Sequence, residues 1–275
     1  MMAQMLEDPF VCLEWITRLH GFGVVLITFE RLAHWREYAE AGRRSWSVAS
    51  AGRKRLPKIP GVSWLFGFPI FPYLLLIRTL AGATLMFTVH RSPASVIAVV
   101  VICVTMIAMD LRESWFVDSI SSRLQAMIST VLCLQLLAVD SHKVAVGVVG
   151  FIAVNTSLSY LLSAISKLSD VDWRNGSKVY HVLQGRFHGS EGLAGYLSGR
   201  SFLTRVMTWG VLGFEFVFPL VLFLDWPACM PLLVGGLSFH LMNRLLLGIP
   251  GFTLVYLSAY PAIVYVSRLL ASSWR

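Results

Sequence analysis

Apolar residues run along this chain in long blocks separated by short polar breaks. A helix needs about 20 apolar residues to cross the hydrocarbon of a bilayer. Blocks of that order stand at 73–90, 95–111, 144–165, 207–224, 228–247 and 252–270. The block 125–139 is shorter and would cross nearly upright or thin the bilayer around it. A further stretch, 11–32, carries Glu14, Arg18, His20, Glu30 and Arg31 among its apolar residues. Glu14 and Arg18 stand four apart and can pair along a helix. This stretch reads either as a span with charges near its ends or as an interfacial helix. The pattern predicts an all-α, polytopic membrane helical bundle over 1–275, a single domain. It would hold about eight transmembrane helices, or seven plus an interfacial helix.

Two connections are long: a basic loop over 33–72 and a polar loop over 166–205. With 112–123 they fall on one side of the predicted bundle. Fifteen Lys and Arg lie there, against Arg91 and Lys143 opposite. The charge rule places the long loops in the cytoplasm. The glycines of 185–199 mark a surface loop. They lack the preceding strand and the spacing of a nucleotide-phosphate motif.

Composition narrows the class. Apolar residues make up 56% of the 275 and charged residues 14%, where soluble domains carry roughly 25% charged. A soluble enzyme, a disordered chain and a secreted disulfide scaffold are excluded. The net charge of +8 would suggest nucleic acid in a soluble protein. Here the cations sit between apolar blocks, so they set topology, membrane lipid is the expected partner, and nucleic acid is not. Cys12, Cys103, Cys133 and Cys229 lie in apolar stretches and form no CxxC. His181 and His188 are seven apart with no carboxylate at ligand spacing, so no metal is expected. The first ten residues lack a basic n-region and do not read as a cleaved signal peptide.

An ionisable group inside a span costs at least ~2.5–3.5 kcal/mol and needs a partner or a task. His240, Asn243 and Arg244 share one helical face. They form either a polar wall of a buried site or an interhelical hydrogen bond with an arginine reaching the interface. Glu215 sits mid-span. Its options are a salt bridge to Arg244 or Arg78, a bond to a helix neighbour, or proton transfer. Asp110, Arg112, Glu113 and Asp118 end a span, where interfacial solvation is expected, and Trp115 and Phe116 fit an aromatic belt. Lys167 follows the block 144–165. It is either a snorkelling stop or a partly desolvated lysine usable as a general base. Asp170 and Asp172 would oppose that use if they reached it. Asn155 and Tyr160 read as helix-packing donors.

The stretch SAISKLSDVDWRNGSKVYHVL, then TWGVLGFEFVFPLVLF, then SFHLMNRLLLGIPGFTLVYLSAYP resembles the membrane domain of vitamin K-dependent gamma-carboxylase. It resembles equally the bacterial proteins sharing that domain, the horizontally transferred transmembrane (HTTM) family. The likeness rests on Lys167-Leu168, Asp172-Trp173, Gly176, Glu215, Phe239-His240 and Met242-Asn243. Met109-Asp110, Trp115 and Val117-Asp118 add to it. It runs over roughly 11–265, with its specific part in 100–265.

The resemblance implies a membrane enzyme of carboxylase or epoxidase type, with a reduced, vitamin K hydroquinone-like quinone as cofactor. In the carboxylases the lysine matching Lys167 is regarded as the base that deprotonates the hydroquinone. The base formed after reaction with O2 then removes a glutamate γ-proton, and the carbanion captures CO2. By this likeness Lys167, Glu113 and His240 would be catalytic. Asn243, Glu215, Trp173 and Tyr160 would bind the quinone, and the substrate would be a peptide or small molecule. The chain departs from the carboxylases in three ways. Glu113 stands where a histidine is expected, the large extramembrane domain has no counterpart in 275 residues, and the charge rule puts Lys167 on the cytoplasmic side. Short members of the family include a protein needed for maturation of a secreted bacterial peptide toxin. The resemblance thus also implies, as an alternative, a non-redox membrane partner in maturation or export of a secreted peptide, working with an accessory maturation protein, or a lipid or quinone binder. Either way the expected location is the bacterial cytoplasmic membrane.

Overall fold

The computed structural model describes residues 7–51, 58–113, 120–138, 141–185, 189–248 and 251–273. The regular structure among them is helical throughout. In chain order come α1 (Pro9–Ala33), the short α2 (Trp46–Ser50) and α3 (Val62–Phe66), α4 (Ile70–Phe87), α5 (Pro93–Glu113), α6 (Ile120–Leu137) and α7 (His142–Leu168). Three short helices follow: α8 (Val171–Asn175), α9 (Lys178–Leu183) and α10 (Glu191–Leu197). The last three are α11 (Ser201–Val217), α12 (Met230–Leu247) and α13 (Phe252–Ser273).

Local chemistry sets the helix ends. Asp8 Oδ1 accepts from the Phe10 N–H at 2.8 Å, and Pro9 fills the first helical position, where no N–H is needed. Ser92 does the same for α5, accepting from Ser95 N–H at 3.2 Å ahead of Pro93. Gly248 closes α12 at φ 62°, its N–H bonded to Arg244 O at 3.0 Å. Pro219 has no N–H for an α-helical bond, and α11 tightens there into a 3-10 helix, Phe218–Phe223.

Among the described residues, seven helices are long and apolar enough to cross a membrane: Pro9–Ala33, Ile70–Phe87, Pro93–Arg112, His142–Leu168, Ser201–Phe223, Met230–Leu247 and Thr253–Ser273. The 25-residue α1 is therefore long enough to span despite its charges, and Glu14 and Arg18 do pair along it. The helix that falls short is α6, whose apolar part is Ser122–Leu137.

The chain forms two compact units, Leu13–Ala145 and Met1–Cys12 with Val146–Arg275. In the first, α1 and α4 meet through Gly21 and Gly82. A Cβ on Gly21 would lie 2.6 Å from Gly82 O, so no larger residue fits without moving a backbone. The interior of this unit is polar in places: Arg78 donates to Ile102 O (2.8 Å) and Thr105 Oγ1 (3.1 Å), and His20 bonds Ser129 Oγ at 2.8 Å. Arg112, expected to be solvated at a helix end, is instead buried. It donates to Phe66 O at 3.1 Å and to Arg44 O, with its guanidinium 4.1 Å from the Phe71 ring and 4.9 Å from Tyr38. One charge at the end of α5 thereby ties together Tyr38, Arg44, Phe66 and Phe71. The desolvation cost is offset by carbonyls and ring faces.

Both units turn apolar side chains outward and keep polar ones inside. Leu80, Ile97, Val104 and Leu134 are exposed in the first, and Leu162, Phe216, Leu220 and Leu245 in the second. Gln125, Ser129, Thr156, Ser157, Glu215 and His240 are buried. That inversion is what a hydrocarbon solvent selects.

Candidate functional site

The second unit gathers ionisable and aromatic side chains from four spans. On α7, Tyr160, Ser163 and Lys167 follow one another at offsets of three and four, so one face carries all three. Opposite this face, α11 brings Glu215 and then Phe218 of the 3-10 helix. His240 comes from α12 and Tyr256 from α13.

Lys167 Nζ forms an ion pair with Glu215 Oε1, and Ser163 Oγ donates to the same oxygen at 3.3 Å. The Lys167 side chain is 22% exposed and that of Glu215 4%. The pair therefore stands at the edge of the buried interior, with the carboxylate on the inner side. Glu215 Oε2 is buried and has no hydrogen-bond partner. On its outer side Lys167 Nζ lies 4.9 Å from the Trp173 ring centre, a cation–π contact.

Trp173 is held there by the short helix α8. Asp170 caps it, accepting from Asp172 N–H at 2.9 Å, and Gly176 ends it at φ 83°. The carbonyl of Gly176 accepts from Thr208 Oγ1 of α11 at 3.0 Å. The acids flanking Lys167 in sequence are engaged elsewhere: Asp170 with Lys178 at 2.7 Å and Asp172 with His181 at 3.2 Å. Hydrogen bonding from Lys178 holds the Asp170 carboxyl below the usual range, and the same bond raises Lys178.

Deeper along α7, Tyr160 OH bonds His240 Nε2 at 2.7 Å. The Tyr160 ring stacks on Phe218 at 3.7 Å, and His240 stacks on Tyr256 at 3.9 Å. Tyr256 OH bonds Ser159 Oγ at 3.0 Å. Gly236 makes room for this cluster: a Cβ there would lie 2.4 Å from Tyr260 OH and 3.0 Å from Tyr160 OH. Seven residues of helix rise, about 10 Å, separate the phenol–imidazole pair from Lys167 along α7.

The structure thus brings Lys167, Glu215 and Trp173 together, and Tyr160 with His240. Asn243 is half-buried on α12 and joins neither pair. Glu113 ends α5, and its side chain lies outside the described residues, as do Trp115, Phe116, Asp118 and His188. Glu215 meets neither of its expected arginines; Arg78 belongs to the other unit and bonds α5 there. Asn155 donates back to Phe151 O of its own helix at 2.9 Å rather than across to a neighbour. Ser163, Ser159 and Tyr256 had not been singled out. Ser163 was findable as the residue one turn before Lys167; the tyrosine was hidden in an apolar block. Among the described residues no group of three His, Cys, Asp or Glu is placed to hold a metal ion.

The chain is a multipass integral membrane protein with an ion pair and a phenol–imidazole pair in one unit of four spans. It matches no protein-family model, no characterised protein and no solved structure.

Proposed function

We propose that the protein is an HTTM-type membrane enzyme that handles a proton on a reduced, lipid-soluble quinone, with Lys167 as the general base and Glu215 as its buried partner. The observation that carries this reading is the Lys167–Glu215 pair, with Glu215 Oε2 buried and unclaimed. A buried acceptor without a donor is costly, and a ligand hydroxyl would satisfy it. The residues fit a quinone in kind: aromatic faces at Trp173, Tyr160 and Phe218 flank the polar pairs. A bound quinol would supply the acidic hydroxyl and the reducing electrons. Lys167 and Glu215 would together accept one proton. In the ion pair Lys167 is already protonated, so it acts as base only by passing its own proton to Glu215; the free amine then takes the quinol proton, and the pair ends as ammonium and carboxylic acid. Tyr160 and His240 would orient the ring and exclude water. A peptide or small-molecule substrate, and a bacterial cytoplasmic location, belong to the same proposal.

A second reading has its own support. The Lys167 amine is already committed to Glu215 and Trp173, which is the geometry of a strut between α7 and α11. In that case the protein would be a non-redox partner in maturation of a secreted peptide.

The deciding experiment places the protein in lipid nanodiscs with reduced menaquinone or vitamin K hydroquinone. Oxygen-dependent epoxide is followed by mass spectrometry. The enzyme reading expects epoxide from the wild type and none from folded Lys167→Ala. Equal signals from both, or none from wild type with quinone bound, would overturn it in favour of the maturation partner.

A further inference from the structure

A second feature of the Val146–Arg275 unit stands apart from the ion pair. A cleft of about 340 Å³ opens where α8, the start of α9, the end of α10 and the first turn of α11 converge. Its polar lining includes Asn175, Ser177, Tyr180, Arg200, Thr204 and Arg205, and among the described residues no carboxylate lines it. Asp170 and Asp172, the nearest acids in sequence, are bonded to Lys178 and His181. Among the described residues neither arginine has a carboxylate partner. Arg200 spends one N–H on Tyr196 O at 2.6 Å and stacks over the Tyr196 ring, leaving its other donors unspent.

The position of Arg205 is built in. Gly176 lies against its stem: a Cβ on Gly176 would come within 2.5 Å of Arg205 Cγ and 3.0 Å of its Cα. Gly176 also holds φ 83°, a conformation that favours glycine. The glycine that ends α8 therefore lets Arg205 reach the cleft wall.

The geometry points to a binding site for a phosphate-type oxyanion, held by the guanidinium groups of Arg200 and Arg205 with Asn175 and Tyr180 as further donors; the Ser177 hydroxyl is spent on Asn175 Oδ1 at 2.7 Å. Arginine presents paired N–H donors that match two phosphate oxygens. The cleft sits at the head of the Ser201–Phe223 span, flanked by exposed Tyr196 and Phe202, the aromatic signature of headgroup depth. A phospholipid headgroup and a free phosphate share this chemistry, and the site is independent of any quinone.

The test uses the full chain in nanodiscs of phosphatidylcholine with and without phosphatidylglycerol, and in detergent with inorganic phosphate. Retained lipid is counted by native mass spectrometry and phosphate binding by thermal shift. Lys58→Gln, an exposed cation in the other unit, serves as charge control. Arg205→Gln should weaken phosphatidylglycerol retention roughly tenfold while Lys58→Gln leaves it unchanged. Loss of that retention with no phosphate effect identifies a headgroup. A phosphate shift that Arg205→Gln abolishes, with no lipid preference, identifies a soluble phosphate. If Arg205→Gln misfolds, Arg205→Lys keeps the charge without the fork and should bind more weakly than wild type. Equal behaviour of wild type and the Arg205 variant toward both ligands would overturn the proposal.

Discussion

Lys167 and Glu215, 48 residues apart in the chain, close an ion pair between α7 and α11 inside a unit whose outward faces are apolar. Removing one partner of a buried pair leaves an uncompensated charge, whereas removing both leaves none. Lys167→Met alone should destabilise the protein by about 3 kcal/mol, at the low end for buried pairs because the amine is partly exposed. Lys167→Met with Glu215→Leu should cost clearly less than Lys167→Met alone. Thermal unfolding in a single detergent would read this. Additive losses would mean that the two side chains do not form a functional pair.

The phenol–imidazole contact depends on space at Gly236. Gly236→Ala should push the Tyr160 and Tyr260 hydroxyls away, costing ~1–3 kcal/mol by overpacking. Tyr160→Phe keeps the ring stacked on Phe218 and removes the hydroxyl that bonds His240 and faces Tyr260, so its cost should be ~1–2 kcal/mol. Comparing their melting temperatures with that of Gly213→Ala, where a Cβ meets open space, separates packing from helix propensity. A Gly236→Ala protein as stable as Gly213→Ala would contradict the packing described.

Arg112 predicts a local effect in the other unit. Arg112→Ala should release the aromatic cluster of Tyr38, Phe66 and Phe71 and expose residues 38–51 and 58–71 to protease. Limited proteolysis with mapped fragments would check this. Cleavage no faster than in wild type would show that the aromatics hold without the cation.

The loop that carries Trp173 should respond to acid. The Asp170 carboxyl titrates below its ordinary value in the folded state, so its stabilising contribution is present above the unfolded value of ~3.9. It is lost as pH falls through the lower, folded value. Protection of the 171–176 amides, corrected for the intrinsic pH dependence of exchange, should therefore fall on acidification and fall at neutral pH in Asp170→Asn. Exchange unaffected by Asp170→Asn would remove the cap from the account.

Much of this architecture was legible in the chain, for physical reasons. A membrane span is a local property of consecutive residues, so apolar blocks marked every long helix. Pair identities were not local. Nothing in the sequence told Glu215 to choose Lys167 over Arg78 or Arg244, because that choice rests on which faces of α7 and α11 meet. Arg112 read as solvated because charge at a helix end normally is. Its burial depends on carbonyls and rings contributed from residues 38–71. The cleft at Arg205 was invisible for the same reason: the glycine that admits it precedes it by 29 residues.

The central claim is that Lys167 and Glu215 act as one proton-accepting unit toward a bound quinol. Infrared difference spectroscopy on nanodisc protein, before and after adding reduced quinone, tests it most directly. The account predicts a protonated-carboxyl band on quinol addition that vanishes in Glu215→Gln and is altered in Lys167→Ala. A difference spectrum identical in wild type and Glu215→Gln would contradict it.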